Sequence, residues 1–112
     1  MIYILDDNEL QLYMYKNLFA EYTDKLYVTF RKASDLLQAV ECASPDVLIC
    51  DVSMPDADGF EIARAVKEIA PETPTIIATC LPENVYRHKA EKLGYKFWNK
   101  QHLKHLEELI NG

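Results

Sequence analysis

The chain of 112 residues has only 3 glycines and 3 cysteines, and it lacks a long apolar run. Neither a P-loop nor a dinucleotide-binding fingerprint fits, because no glycines stand at the required spacing. The longest apolar runs are a few residues long, whereas a transmembrane helix needs about 20. Met1–Leu5 is apolar at once and turns acidic at Asp6, unlike a secretory signal peptide. We therefore expect one cytoplasmic domain, residues 1–112, with no membrane partner.

The three cysteines, Cys42, Cys50 and Cys80, are an odd number with no close pair. A disulfide framework and a four-ligand zinc site both require a different spacing. We expect these side chains to be small buried hydrophobes in a reducing compartment.

Short apolar runs alternate with amphipathic stretches along the whole chain. Five runs predict strands: Ile2–Leu5, Leu26–Phe30, Val47–Cys50, Thr75–Thr79 and Tyr95–Asn99. A helix is predicted after each strand. Four are indicated by spaced apolar positions: Leu10, Met14 and Leu18; Leu36, Leu37 and Val40 behind a Ser34 cap; Ile62, Val66 and Ile69; and Leu103, Leu106 and Ile110. The fourth helix along the chain is bounded by Pro82 in its first turn and by Gly94, which ends it. Strands that are apolar throughout are buried on both faces. The pattern predicts an α/β fold with a doubly wound, five-stranded parallel sheet covered by helices.

Polar residues directly follow four of the predicted strands: Asp6 and Asp7, Asp51, Thr79, and Lys100. Ligands of open α/β sheets bind at the carboxyl ends of the strands, so we expect these side chains to converge. Taken singly, each has a plain structural explanation, such as helix capping for Asp6 and Asp7. Taken together, three carboxylates repel by about 4 kcal/mol per pair at ~4 Å. Raised pKa values or a bound cation would relieve this repulsion, and hard oxygen ligands suit Mg²⁺.

Four segments, in order along the chain, resemble those of response-regulator receiver domains. Ile2–Asn8 is similar to the strand that carries their acidic pair. Val47–Pro55, followed by Asp58 and Gly59, resembles their phosphoacceptor strand and its Met-Pro loop. Ile76–Thr79 resembles their switch-threonine strand, and Gly94 with Phe97–Lys100 resembles their aromatic and lysine strand.

The resemblance implies a flavodoxin-like sheet of order 2-1-3-4-5 and a role for each matched residue. Asp51 would be the phosphorylated nucleophile, served by a sensor histidine kinase or a phosphotransfer protein. Asp7, Asp51 and the Ser53 backbone carbonyl would ligate Mg²⁺, and Asp6 would hold it through water. Such a domain is a switch that catalyses only its own aspartyl phosphorylation and dephosphorylation.

The same resemblance assigns the switching residues. Thr79 would hydrogen-bond the phosphoryl group, and Lys100 would neutralise one of its oxygens. Phe97 would move with Thr79 and change the face built from the fourth helix, fifth strand and fifth helix. Ser53 and Leu81, two residues past Asp51 and Thr79, orient a water poorly, so we expect slow self-dephosphorylation.

Two departures from the family pattern concern the lysine strand. Gln101 follows Lys100 where the family usually has a cis proline, and a cis bond is costly without proline, so a trans bond would alter the reach of Lys100. The stretch from Gly94 to Lys100 is also one residue shorter than usual. No output domain is recognisable within the 112 residues.

Two other functions fit parts of the sequence. A degenerate receiver would keep the fold and signal by protein contact alone. A small Mg²⁺-dependent phosphotransferase or phosphatase would need a substrate pocket beyond the rim, for which 112 residues leave little room.

A basic segment stands out in a chain of net charge −6. Residues 84–105 contain one acid, Glu91, and six basic residues: Arg87, Lys89, Lys92, Lys96, Lys100 and Lys104. The segment is either an ordinary solvated face or a docking surface for an acidic partner, including a second copy of the chain. The acidic chain as a whole disfavours nucleic acid as a partner.

Overall fold

Five strands alternate with five helices in the computed structural model, which describes residues 1–54, 58–81 and 85–111 and, within these, not the side chains of Tyr22, Val85 and Lys104. The strands are β1 (Ile2–Leu5), β2 (Tyr27–Phe30), β3 (Val47–Asp51), β4 (Thr75–Thr79) and β5 (Lys96–Asn99). The helices are α1 (Glu9–Tyr22), α2 (Ala33–Cys42), α3 (Gly59–Ile69), α4 (Val85–Lys92) and α5 (Leu103–Asn111). Pro55 and Pro82, which the sequence analysis used, lie outside the described residues.

The five strands form one parallel sheet in the order β2-β1-β3-β4-β5. The predicted doubly wound architecture and strand order are therefore confirmed. The register pairs Leu5 with Cys50 and Asp51 with Ala78. The residues that follow β1 and β3 consequently emerge side by side at the carboxyl edge of the sheet.

The central strands of the sheet are buried on both faces, as their apolar sequences predict, whereas the edge strand β2 is partly exposed. Every residue of β1, β3 and β4 is buried. On one face Leu5, Cys50 and Phe97 belong to the core that includes α2 and α3 residues. On the other face Ile4 and Trp98 belong to the core that includes α1 and α5 residues. Within the described residues, no helix is both long enough and apolar enough to cross a bilayer.

Helix periodicity assigned some inward positions wrongly. Leu10 is 78% exposed, whereas Leu18, predicted on the same face, is buried together with Tyr15 and Phe19. Ile69, at the end of α3, is 39% exposed.

Two further expectations from the sequence are wrong. Ser34 does not cap α2, which begins one residue earlier, behind Lys32, and has no side-chain cap. Cys42 and Cys80 are exposed, and only Cys50 is buried among the free cysteines. Cys42 ends a helix and Cys80 follows a strand, so both lie outside the packed part of their elements.

Gly59, the first residue of α3, makes a close approach to the end of β3. A Cβ atom at this position would lie 2.5 Å from the Asp51 carbonyl oxygen and 2.9 Å from the Val52 Cα. Only a residue without a side chain allows this contact. Asp58 caps the same helix by accepting a hydrogen bond from the Phe60 N–H at 2.9 Å.

Candidate functional site

Three carboxylates meet at the carboxyl edge of the sheet. One oxygen from each of Asp6, Asp7 and Asp51 lies within 4.8 Å of the others. The chain fixes two of them with its own backbone, because Asp6 Oδ1 accepts the Asn8 N–H at 3.0 Å and Asp51 Oδ1 accepts the Ser53 N–H at 2.9 Å. Asp6 and Asp51 are buried, and Asp7 is half-buried. The predicted convergence is thus observed in the structure.

Lys100 reaches this acidic cluster from the end of β5. Its Nζ lies 2.5 Å from Asp6 Oδ2 and 3.6 Å from Asp51 Oδ1, and the side chain is 3% exposed. The described residues contain no cis peptide bond, so the bond to Gln101 is trans. A trans bond therefore does not prevent the lysine from reaching the carboxylates.

The electrostatic environment of Asp51 disfavours its ionised form. Burial raises the pKa of this carboxyl above its ordinary value, and the charges of Asp6 and Asp7 raise it further. The Lys100 ammonium and the Ser53 N–H act in the opposite direction without cancelling the increase. One buried ammonium thus compensates three carboxylates only in part.

The carboxylates border an open cleft of about 320 Å³. Its lining consists of Asp7, Asn8, Gln11, Asp51, Ser53, Cys80 and Lys100. Several hard oxygen donors beside an open volume match the preference of Mg²⁺, which binds one or two carboxylates and keeps several waters. The donor set therefore fits the predicted ion.

The Thr79 hydroxyl is engaged by its own surroundings. It lies 3.1 Å from the Ser53 Oγ and accepts the Leu81 N–H at 3.1 Å. Phe97, on the next strand, is buried, and the Arg87 guanidinium lies 4.8 Å from its ring centroid. The structure thus places Thr79 beside Ser53 and packs Phe97 under α4.

Sequence reasoning missed two residues of α1 that border this region. The Gln11 Oε1 and the Tyr15 hydroxyl are buried without a hydrogen-bond partner among the described residues. Lys100 Nζ lies 6.0 Å from the Tyr15 ring centroid. Burial, and then the charges of Asp6 and Asp51, raise the pKa of the Tyr15 phenol well above its ordinary value. Their four-residue spacing on a helix that starts beside the acidic pair was the available signal.

Known proteins resemble this chain over part of their length. A stretch of 50 residues is 44% identical to the DNA-binding transcriptional regulator NtrC of Proteus hauseri, and it covers 45% of this chain and 11% of that protein. A stretch of 78 residues is 32% identical to the autoinducer 1 sensor kinase/phosphatase LuxN of Vibrio campbellii, covering 67% of this chain and 9% of that protein. The chain therefore spans a small fraction of the length of these curated relatives.

Solved structures match almost the whole chain. A response regulator receiver domain protein from Clostridium thermocellum has a TM-score of 0.84 and 28% identity, covering 98% of this chain and 90% of that one. The BeF3-activated DrrB receiver domain has a TM-score of 0.80 and 26% identity, covering 98% and 92%. The family model for the response regulator receiver domain matches residues 2–110. The chain belongs to the response regulator receiver domain family.

Proposed function

We propose that this domain accepts a phosphoryl group on Asp51 and uses it as a switch. The observation that carries the proposal is the placement of Asp51 in the acidic cluster, with Lys100 Nζ 3.6 Å from its Oδ1. Among the described residues, Ser53 and Lys100 both contact Oδ1, so Oδ2 is left as the attacking atom. A carboxylate nucleophile forms an acyl phosphate when it attacks phosphorus.

The donor is proposed to be a phosphohistidine of a sensor kinase or a phosphotransfer protein. The relative LuxN is by name a sensor kinase/phosphatase, which fits this class of donor. In the transfer, an Asp51 oxygen forms a bond to phosphorus while the phosphorus–nitrogen bond breaks. The imidazole leaves with the electron pair and takes up a proton from solvent. Phosphoryl transfer of this kind depends mainly on positioning and on charge stabilisation.

The acidic residues are assigned to a Mg²⁺ ion. Asp7, Asp51 and the Ser53 backbone carbonyl would hold it directly, and Asp6 would hold it through water. When bound, the ion supplies positive charge against the phosphoryl oxygens. Lys100 adds a second positive charge, which its contact with Asp6 keeps at the rim.

The switch is proposed to run from Thr79 to Phe97. A phosphoryl group on Asp51 would compete with the Ser53 Oγ for the Thr79 O–H, while the Leu81 N–H donates to the same Thr79 oxygen and holds it in place. Movement of Thr79 frees space for Phe97, and Arg87 on α4 lies over that ring. The population of conformations then shifts on the α4-β5-α5 face, formed by these two helices and β5.

Phosphorylation by acetyl phosphate with Mg²⁺, read by intact mass, tests the proposal. We expect wild type to gain one phosphoryl group and Asp51→Asn to gain none. Asp35→Asn is the matched control, because Asp35 is an exposed aspartate on α2. An unmodified wild-type chain would favour the degenerate-receiver alternative. Steady turnover of a small phosphate ester would favour the phosphatase alternative.

We also propose that α4 is a docking surface for an acidic partner. A second copy of this chain, presenting its acidic side, is one such partner. Arg87, Lys89 and Lys92 are exposed on this short helix. The structure removes two residues from the basic surface that the sequence suggested, because Lys100 is buried and Lys96 donates to the Leu109 carbonyl at 3.1 Å. The Lys104 side chain lies outside the described ones. The basic surface is thus narrower than the sequence suggests and centred on α4.

Sedimentation of the chain alone and with acidic candidate partners tests this docking surface. Exposed charges act mainly on the association rate and are screened by salt. We expect Arg87→Glu with Lys92→Glu to weaken association at low salt, and Lys16→Glu, an exposed lysine of α1, to leave it unchanged. If association changes neither with salt concentration nor in the Arg87→Glu, Lys92→Glu variant, then α4 is only a solvated face.

A further inference from the structure

Two side-chain amides, one on the last residue of β5 and one in the turn that follows, hold the segment after Thr79. The Asn99 Nδ2 donates to the Leu81 carbonyl at 3.0 Å. The Gln101 Nε2 donates to the Cys80 carbonyl at 3.2 Å. The Asn99 Oδ1 in turn accepts the Gln101 N–H at 2.9 Å. We call these three hydrogen bonds the amide clasp.

The amide clasp acts on the residue that holds the Thr79 hydroxyl. Leu81 is fixed at both of its backbone polar groups, since its carbonyl accepts from Asn99 and its N–H donates to Thr79 Oγ1. A displacement of Leu81 therefore breaks bonds on both sides. A movement of the Thr79 hydroxyl towards Asp51 must therefore either break its bond to the Leu81 N–H or carry Leu81 with it against the bond from Asn99.

The clasp depends on the residue that departs from the family pattern. Proline at position 101 would have no N–H to donate to Asn99 Oδ1 and no amide for Cys80. Gln101 supplies both donors through one residue. The trans bond before it is compatible with this arrangement.

We propose that Asn99 and Gln101 are positioning residues that hold Thr79 in its unphosphorylated arrangement. The inference rests on the proposed phosphorylation of Asp51 and adds its regulation. The clasp lowers the fraction of molecules whose Thr79 hydroxyl is available to a phosphoryl group. For a group that binds only the available state, the apparent affinity equals the intrinsic affinity multiplied by that fraction.

Titration with beryllofluoride and Mg²⁺, followed by the ¹⁹F NMR signal of the bound anion, tests the clasp. This anion imitates a phosphoryl group through a beryllium–oxygen bond that forms reversibly, so the titration reports an equilibrium. We expect Asn99→Ala and Gln101→Met each to bind about threefold more tightly than wild type, because an exposed neutral hydrogen bond contributes little. Gln38→Met, at an exposed glutamine of α2, should match wild type.

Thermal unfolding of the same proteins separates positioning from a structural role. If both variants melt at lower temperatures but bind beryllofluoride no more tightly than wild type, the amide clasp has only a structural role and the proposed positioning of Thr79 is wrong. In that case phosphorylation of wild type on Asp51 would still stand. If wild type neither binds beryllofluoride nor gains a phosphoryl group on Asp51, both the proposed function and the proposed role of the amide clasp are wrong.

Discussion

The two halves of the rim are held in different ways. In the acidic half, Asp6 follows β1 and Asp51 ends β3, and backbone N–H groups of the following loops fix both carboxylates. In the other half, Thr79 ends β4, and the loop after it is tied by the side-chain amides of Asn99 and Gln101. Backbone geometry sets the first half, whereas weak and replaceable bonds set the second. The proposed switch requires this difference, because it needs a charged half that stays in place and a hydroxyl half that can move.

Removal of the Lys100 side chain should have the largest effect, because its ammonium pairs with both buried carboxylates of the acidic half. We expect Lys100→Met to lower the free energy of unfolding by about 3 kcal/mol, since it leaves buried carboxylates without their cation. Urea unfolding without Mg²⁺ measures the loss. Lys16→Met, at an exposed lysine, is the control. An unchanged free energy of unfolding would mean that the ion pairs with Asp6 and Asp51 carry little weight.

The second prediction concerns the metal and only the acidic half. Mg²⁺ at tenfold excess over its Kd should stabilise wild type by about 1.4 kcal/mol through mass action. We expect Asp7→Ala to lose most of this gain, and Asp35→Ala to keep it. Thermal unfolding with and without Mg²⁺ measures both. If Asp7→Ala shows the full Mg²⁺-dependent shift, the assigned ligand set is wrong.

The third prediction uses the raised pKa of Asp51. A folded-state pKa above the unfolded one means that the folded chain binds the proton more tightly. Stability is therefore lost as pH rises from the ordinary aspartate pKa through the raised one. Asp51→Asn should remove this loss and, without Mg²⁺, stabilise the fold near pH 7 by on the order of 1 kcal/mol.

Urea unfolding at several pH values between 4 and 7 measures this effect. The difference between Asp51→Asn and wild type should grow as pH rises through that window. A difference that stays constant across the window, or a less stable variant at pH 7, would contradict the charge argument. Asp35→Asn, at an exposed position, again serves as the control.

The smallest predicted effect lies in the hydroxyl half and concerns lifetime. Leu81 is 44% exposed beside Thr79 and offers no polar group to a hydrolytic water. We expect the phosphorylated Leu81→Asn protein to dephosphorylate about threefold faster than wild type, because an amide orients that water. Intact mass against time measures the decay, with Leu103→Asn, at another exposed leucine, as control. Faster decay in wild type would refute the argument.

The sequence predicted the rim well because the rule behind it is topological. Parallel strands end at one edge, so the residues after β1, β3, β4 and β5 had to emerge together, and Asp6, Asp51 and Lys100 do. Strand runs were equally readable, since burial on both faces leaves continuous apolar stretches. The buried faces of the helices were predicted less accurately, since Leu10, predicted to face inward, is exposed.

Contacts that depend on the path of a loop could not be predicted from the sequence. The amide of Gln101 meets the carbonyl of Cys80, 21 residues earlier in the chain. Neither residue type implies the other, and the distance is set by how two turns leave neighbouring strands. For Gln11 and Tyr15 the four-residue spacing showed a shared helix face, but their position near Lys100 depends on the rotation of α1 against the sheet, which the spacing does not determine.

The close approach at Gly59 determines which parts of the domain can move independently. Because α3 begins so close to the carbonyl of Asp51, a side chain at position 59 would force the helix and the end of β3 apart. In the proposed switch, the end of β3 and the start of α3 would therefore keep their spacing while the segment after Thr79 moves. A partner that binds α3 would then sense the position of Asp51 and not the state of the proposed switch.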